Sequence, residues 1–515
     1  MPSLQTLPLL LKKKLLMTKK KKKQHRKKLE EVDGEKKGMR EPLPGKESKS
    51  QKWLSEAGIK IHVAKGSSWI RISQAPTLPL PIKDAIQRLS QAGFICYVVG
   101  GSIRDFLLGR PAKDHDLVTN ATPEQVVDLF ERSIDVGKKF GVIQVVVSEG
   151  DSFEIATFRK DLEYKDHRHP ESIEFSDVSE DAKRRDFTIN GLYYDIKSNR
   201  VLDEVGGIED LEAKQIRCIG EPSKRFREDA LRMLRAVRFS AALNFEIEKK
   251  TSESILIHSP LIREVSSERI RDELNLILQG PMPVEGFQLL FELKLLKVIL
   301  PELETLKGIE QIPSYFPKED LWKNTFRVFE HLRKNHEKPS LACLWAALLH
   351  DIGKPVAFSK NQLENFQNSE REGAILSKKI LQRLKFPQKF VEQVSQMVES
   401  LPKFRGVFEM RESTIIRWVR EPYFEDLLAL HEAHVRGTDG NLAFHQFALS
   451  RFLEEKKYVQ KEREKLLSGD DLLALGLSAG PQFSEILREI EDLALEGEIR
   501  SKDEALEYVI KNFVV

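Results

Sequence analysis

Apolar and polar positions along this chain follow different patterns in successive stretches, and each predicts different elements. Ile59–Lys60–Ile61–His62–Val63 and Trp69–Ile70–Arg71–Ile72 alternate strictly, so each puts its apolar side chains on one face of an extended segment. The two pair as a hairpin around Lys65–Gly66. Pro76, Pro79 and Pro81 then form a linker ahead of a helix over Ile82–Ala92. The unbroken apolar run Phe94–Ile95–Cys96–Tyr97–Val98–Val99 predicts a buried strand, with further strands at Asp116–Val118, Val142–Val147 and Phe153–Thr157. An amphipathic helix over Pro123–Arg132 sits among them. From Pro222 onward strand patterns nearly vanish and helical periodicity takes over. The predicted fold class is therefore α+β, a mixed-sheet head followed by an all-α remainder.

Length and composition widen this picture. A chain of 515 residues buries a large core and divides into several domains. Cys96, Cys218 and Cys343 lie far apart, with neither a disulfide framework nor a zinc-ligand spacing, which suits a reducing cytoplasm. No apolar stretch approaches the roughly 20 residues that span a bilayer. Leu9–Leu11 is too short for a signal-peptide core and its lysines follow rather than precede it, so no membrane partner is expected. Charge is uneven. Lys12–Lys14, Lys19–Lys23, Arg26, Lys27 and Lys28 put eleven positive charges ahead of the first acid, Glu30, so with a whole-chain net charge of +3 the rest carries −8. Such a run does not fold by itself. It is either a nonspecific contact for RNA phosphates or a solvated extension, Met17 and Met39 being alternative starts.

The chemistry concentrates after the buried strand. Val98–Val99 delivers Gly100–Gly101–Ser102–Ile103–Arg104–Asp105 to a turn, and Asp114–His115–Asp116 follows about ten residues later. Glycines let backbone N–H groups approach phosphate oxygens, an arginine supplies a fork of donors, and carboxylates at i and i+2 share one face and suit Mg²⁺. This is equipment for a nucleoside triphosphate. The Walker pattern and G-x-G-x-x-G are both absent from this turn, which disfavours a P-loop ATPase. Glu154, on a strand with Thr157–Phe158–Arg159, is either a third carboxylate near the metal or an outward-facing charge. Arg184–Arg185–Asp186 is either a surface ion-pair cluster or a ligand contact. On a helix through Glu228–Arg238, Asp229, Arg232, Arg235 and Arg238 recur every three residues as a stripe, either a solvated charge ladder or a ligand-facing row.

Four segments in order, GGSIRDFLLGR, DHDLVTNATPEQ, RRDFTINGLYYD and REDALRMLRAVRF, resemble the class II tRNA nucleotidyltransferase and bacterial poly(A) polymerase family of the DNA polymerase beta superfamily. The resemblance is close from Ala85 to about Gly280 and loose beyond. It implies that Asp114 and Asp116 are catalytic and hold Mg²⁺, and that Gly100, Gly101 and Arg104 cradle the nucleotide. It also implies that Arg185 contacts the incoming nucleotide with Asn190 in support, and that Asp229 and Arg232 read the base edge in place of a template. Cytosine and adenine each present an amine donor beside a ring-nitrogen acceptor, so one Asp–Arg pair accepts both and rejects U and G. Arg235 and Arg238 then meet phosphate or sugar. Tyr164–Pro170 resembles the family's mobile loop for switching between CTP and ATP, whose presence argues that an A can be added.

Leu348–Leu349–His350–Asp351–Ile352–Gly353–Lys354–Pro355 resembles the HD phosphohydrolase signature. Where further histidines are needed for its metal shell, the chain offers Asn324 and Ser369, with His331, His336 or His434 as substitutes and Asp439 as a later acid. The expectation is a degenerate, structural HD-like unit. Ser468–Leu477 and Gly480–Phe483 resemble the tail of tRNA nucleotidyltransferases, whereas Leu192–Tyr193–Tyr194 stands where CCA-adding enzymes more often carry Ala-Met-Ala. The resulting plan is a polybasic segment (1–52), a hairpin and linker (53–81), a nucleotidyltransferase head (82–220), a helical neck (221–280), a body with the HD-like segment (281–400) and an RNA-binding tail (401–515). The expected activity is template-independent addition of CCA to tRNA 3′ ends from CTP and ATP, with no obligatory protein partner. Poly(A) or A-only addition is the near alternative. A metal phosphohydrolase and a catalytically silent RNA-binding protein are the distant ones.

Overall fold

The computed structural model of the protein describes residues 59–514 apart from 64–66, 113, 149–150, 163–171, 310–319, 360–368, 439 and 459–465. The lysine-rich segment, the Lys65–Gly66 turn, the Tyr164–Pro170 loop and Asp439 lie outside the described residues. The head is built on one nine-stranded sheet in the order β1 (Ile61–Val63), β2 (Trp69–Ile72), β11 (Arg200–Asp203), β10 (Leu192–Asp195), β3 (Cys96–Val99), β4 (Asp116–Thr119), β7 (Asp151–Thr157), β6 (Val142–Ser148) and β5 (Ser133–Gly137). Neighbours are antiparallel except β4 and β7, which run parallel. β8 (Arg159–Asp161) and β9 (Ile173–Phe175) form a separate ribbon. The alternating hairpin is part of the head: β2 hydrogen-bonds to β11, so the sheet begins at Ile61, well ahead of residue 82.

The buried strands follow from their apolar sequence. Val98, Leu117, Ile143 and Ile155 face the main core, where each gains roughly 1.5–3 kcal/mol from burial. α1 (Leu80–Gln91) covers this side, and its first turn accommodates Pro81 because the N–H missing there has no intrahelical partner to lose. α2 is Gly101–Leu107. α3 (Pro123–Leu129) starts at a capping box between Thr122 and Gln125. It stops three residues short of the expected Arg132, because Phe130 turns extended, buries its ring and leads into β5. The opposite face, Val99, Val118, Tyr193 and Leu202, packs with Phe158 and with Ala182 of α4 (Val178–Arg184).

Beyond the sheet come α5 (Gly207–Ala213), α6 (Pro222–Glu228), α7 (Leu231–Leu243), α8 (Lys249–His258) and α9 (Ser267–Gln279), interrupted only by two-residue strands at Gln215–Ile216 and Glu246–Ile247. Helices from Pro283 to Tyr458 continue the same core, while Leu467–Phe513 builds a small core of its own around Leu472, Ile486, Ile490 and Val509. Among the described residues no helix is long and apolar enough to cross a membrane. The three cysteines are buried and unpaired.

One core histidine makes stability depend on pH. His431 stacks on Phe404 with ring centroids 3.6 Å apart, and burial, then His445 and Arg405, push its pKa down to about 3. The unfolded chain takes up a proton near pH 6.5 that the folded one refuses, so this residue costs stability as pH falls from about 6.5 toward 3. At pH 5 the loss is about 2 kcal/mol. Thermal unfolding at pH 7 and pH 5 checks this: the fall in Tm shrinks in His431→Phe, and an equal fall in both proteins would contradict it.

Candidate active site

Gly100 follows β3 with φ +79° and ψ −136°, a conformation that side chains other than hydrogen rarely adopt. It lets the chain reverse at once into α2, and it leaves the space over the turn to Arg185 and Asp116, whose Nη1 and Oδ2 atoms lie 3.8 and 4.0 Å from where a Cβ would be. Asp116 opens β4 directly opposite Val99. The parallel register pairs Leu117 with Ile155, so the preceding residues, Asp116 and Glu154, are neighbours across the two strands. Burial raises the Asp116 carboxyl, with Arg185 opposing and Asp114 adding to the rise; burial and then Asp116 likewise raise Glu154. All three carboxylates, Asp114, Asp116 and Glu154, reach the surface, and Asp116 and Glu154 stand under-compensated.

Arg185, at the C-terminal end of α4, is aimed by its partners. Its Nε donates to the Tyr193 hydroxyl (2.9 Å), Nε and Nη2 donate to Asp181 Oδ2, and Tyr193 donates to the same carboxylate (2.8 Å). Tyr193, the sequence departure in β10, therefore joins Asp181 in fixing Arg185. Arg104 is held by its neighbours. It donates to Asp105 (2.9 and 3.0 Å) and through Nη1 to Asn190 Oδ1 (2.8 Å), while the guanidinium lies over Phe239. It braces α2 against Asn190 and α7, and three of its five N–H groups are engaged in doing so.

The presumed stripe of Asp229, Arg232, Arg235 and Arg238 is not one helical face. Asp229 lies in the break between α6 and α7, with extended backbone (φ −147°, ψ 103°), because its Oδ1 accepts from the Leu231 N–H and its two oxygens take the Arg269 fork at 3.2 and 2.8 Å. Arg232 donates to the Arg225 and Arg184 carbonyls and to Glu228 (3.0 Å). Arg235 donates to Asp186 (2.8 and 2.5 Å) and Arg238 to Glu273 (2.6 Å). A solvated ladder is excluded: the Arg232 and Asp229 side chains are only 9% and 15% exposed. Sequence reasoning missed Arg269, Glu273, Arg225 and the partner role of Asp186. Only Arg225 and Asp186 adjoin a motif, and nothing in the spacing marks the two residues on α9.

The second constellation is also assembled. Asp351 accepts from Lys354 Nζ (2.7 Å) and Asn324 Nδ2 (3.0 Å), and His350 Nε2 lies 3.4 Å from it. The His434 ring stands edge-on to His350 at 5.4 Å. His336 is elsewhere, beside Glu432, and His331 is about 10 Å along the helix from Asn324. Gly353 meets the backbone of Ser369 and Gly373 so closely that any Cβ would collide.

Three family profiles match in succession: the Poly A polymerase head domain over residues 96–217, the probable RNA and SrmB-binding site of polymerase A over 244–307, and the HD domain over 321–439. The chain is 30% identical over 445 residues to the CCA-adding enzyme of Lactobacillus helveticus, covering 86% of this chain and 99% of that protein. The chain belongs to the CCA-adding enzyme family. A Geobacillus stearothermophilus CCA-adding enzyme is 36% identical over 363 residues, 66% of this chain and 89% of its own length. The crystal structure of the Bacillus stearothermophilus CCA-adding enzyme in complex with CTP superposes with a TM-score of 0.64 at 28% identity, covering 84% and 98% of the two chains. The α+β head with its helical continuation is thus the fold of a nucleotidyltransferase of this family.

Proposed function

We propose that the protein adds CCA to the 3′ end of tRNA from CTP and ATP, releasing pyrophosphate. The observation that carries this is the meeting of Asp116, Glu154 and Arg185 at the Gly100 turn. The RNA 3′-oxygen attacks the α-phosphorus, the bond to the β-phosphate oxygen breaks, pyrophosphate leaves and the hydroxyl proton is lost. Asp114 and Asp116 offer the hard oxygen donors that Mg²⁺ takes, and the under-compensated charge of Asp116, with Glu154 beside it, fits a divalent ion. A Mg²⁺ ion held by these carboxylates would neutralise charge on the reacting phosphates. Arg185 reaches the incoming nucleotide, with Gly100 and Gly101 giving it backbone access; Arg104 and Asn190 keep that turn rigid.

Base choice falls to Asp229 and Arg232. A carboxylate has about four acceptor sites, and Arg269 with the Leu231 N–H uses three on Asp229, leaving one for an exocyclic amine. Of the five guanidinium N–H groups of Arg232, three are engaged, so two remain for a ring-nitrogen or carbonyl acceptor. Arg235 and Arg238 contact phosphate or sugar by exchanging part of their pairing with Asp186 and Glu273. The C-terminal helices hold the RNA, and the free buried thiols suit a cytoplasmic site of action. Pyrophosphate release tests this: a tRNA transcript lacking its CCA end yields three pyrophosphates per molecule with CTP and ATP together. Release that continues with ATP alone indicates polyadenylation instead.

A further inference from the structure

The HD-like unit matches a family whose working sites hold metal through histidine and aspartate, yet its residues are arranged for a different task. We propose that the unit is a metal-free buttress: the Lys354 ammonium stands at Asp351 where a metal ion would bind, and helix Leu341–Leu349 braces α9, which carries Arg269 to the base-reading Asp229 and Glu273 to Arg238. The second half rests on Asp229 and Arg232 being the base-reading residues.

The first half follows from what surrounds Asp351. A metal ion needs lone pairs at about 2.0–2.6 Å. Asp351 is buried and both its oxygens are engaged, Oδ1 by Lys354 Nζ at 2.7 Å and Oδ2 by Asn324 Nδ2 at 3.0 Å. Asn324 stands where a ligating histidine is expected. A divalent ion arriving there meets a fixed positive charge and one already neutralised carboxylate. His350 Nδ1 pairs with the Ala347 carbonyl (2.9 Å), and the buried His350 Nε2 and Asn324 Oδ1 have no hydrogen-bond partner. Among the described residues these two atoms and the neighbouring His434 ring are the donors left over, all of them neutral beside the ammonium.

The second half follows from α9. On one side Arg269 grips Asp229 and Glu273 grips Arg238. On the other, Asn275 Oδ1 accepts from Trp345 Nε1 at 2.8 Å, inside a helix all of whose residues from Ala342 to Leu349 are buried. Arg271 donates to the Lys385 carbonyl (2.7 Å) and lies over Phe386, which packs edge-on against Trp345. Arg333 caps the end of α9 at the Gly280 carbonyl (2.9 Å). The HD-like unit on one side and Asp229 with Arg238 on the other thus hold one helix.

Two measurements test the proposal. With head carboxylates removed by Asp114→Ala and Asp116→Ala, the full chain is equilibrated with Mn²⁺, freed of excess and assayed for bound metal and for hydrolysis of 2′,3′-cyclic CMP. Neither is expected. About one equivalent of Mn²⁺ that disappears in His350→Ala, or hydrolysis that does, would overturn the metal-free assignment. In the otherwise intact enzyme, Asn275→Ala and, separately, Trp345→Phe each remove the Trp345–Asn275 bond. Both are expected to raise UTP and GTP misincorporation several-fold while KM for CTP stays within about twofold. Unchanged base choice in both, in an enzyme where Asp229→Ala does raise misincorporation, overturns the buttress alone. Unchanged base choice in Asp229→Ala itself overturns the assignment beneath it.

Discussion

Alanine at Asp114 or at Asp116 lowers nucleotide addition by on the order of 10³-fold while leaving tRNA affinity nearly unchanged. Asp116 opens β4 beside Glu154 and Arg185, and in the proposed function the two carboxylates meet reacting phosphates rather than the RNA body. Asp116 is also the residue whose removal relieves like-charge strain, since burial and Asp114 both disfavour its ionised form. The folded protein should therefore be no less stable without it. Single-turnover extension of a labelled tRNA, with binding measured in parallel, separates the two effects. Turnover within tenfold of the parent in both variants would remove the carboxylates from the site.

Asp229→Ala and Arg232→Ala lose discrimination against UTP and GTP by about 10- to 100-fold, the worth of one bidentate base contact, with a smaller change in triphosphate affinity. Arg269→Ala gives a weaker version of the same phenotype, because Asp229 keeps its carboxylate and its bond from the Leu231 N–H but loses the fork that orients it. Arg269→Lys restores the charge without the planar fork and recovers only part of base choice. Competition between CTP and UTP in one reaction reads the ratio of kcat/KM directly. A fall in CTP and ATP affinity with no change in that ratio would assign these side chains to the phosphates.

The strands carrying the chemistry were legible because burial on both sides writes them as apolar runs: Cys96–Val99 and Asp116–Thr119 lie in the middle of the sheet. β5 was not, since Ser133–Gly137 is an edge strand with no clear alternation and a break in its register. β10 and β11 were hidden for another reason. Leu192–Asp195 is short and wholly apolar at its start, and only its partners β3 and β11 identify it as a strand. In the site, Gly100, Asp116 and Arg185 could be read because each belongs to a compact local motif. The break at Asp229 could not, because Glu228, Asp229 and Ala230 all tolerate a helix and the interruption depends on Arg269, 40 residues further on. The same holds for the bracing of Arg104: its Asp105 partner is adjacent, but Asn190 is brought to it only by the fold.

The central claim is that this chain builds CCA with side chains in place of a template. A tRNA transcript ending at its discriminator base, incubated with CTP, ATP, UTP and GTP together and sequenced at its 3′ end, tests that claim most directly. The expected outcome is a single dominant product extended by C, C and A and then stopped. A transcript that remains unextended, or one that carries a run of A of indefinite length, would contradict it.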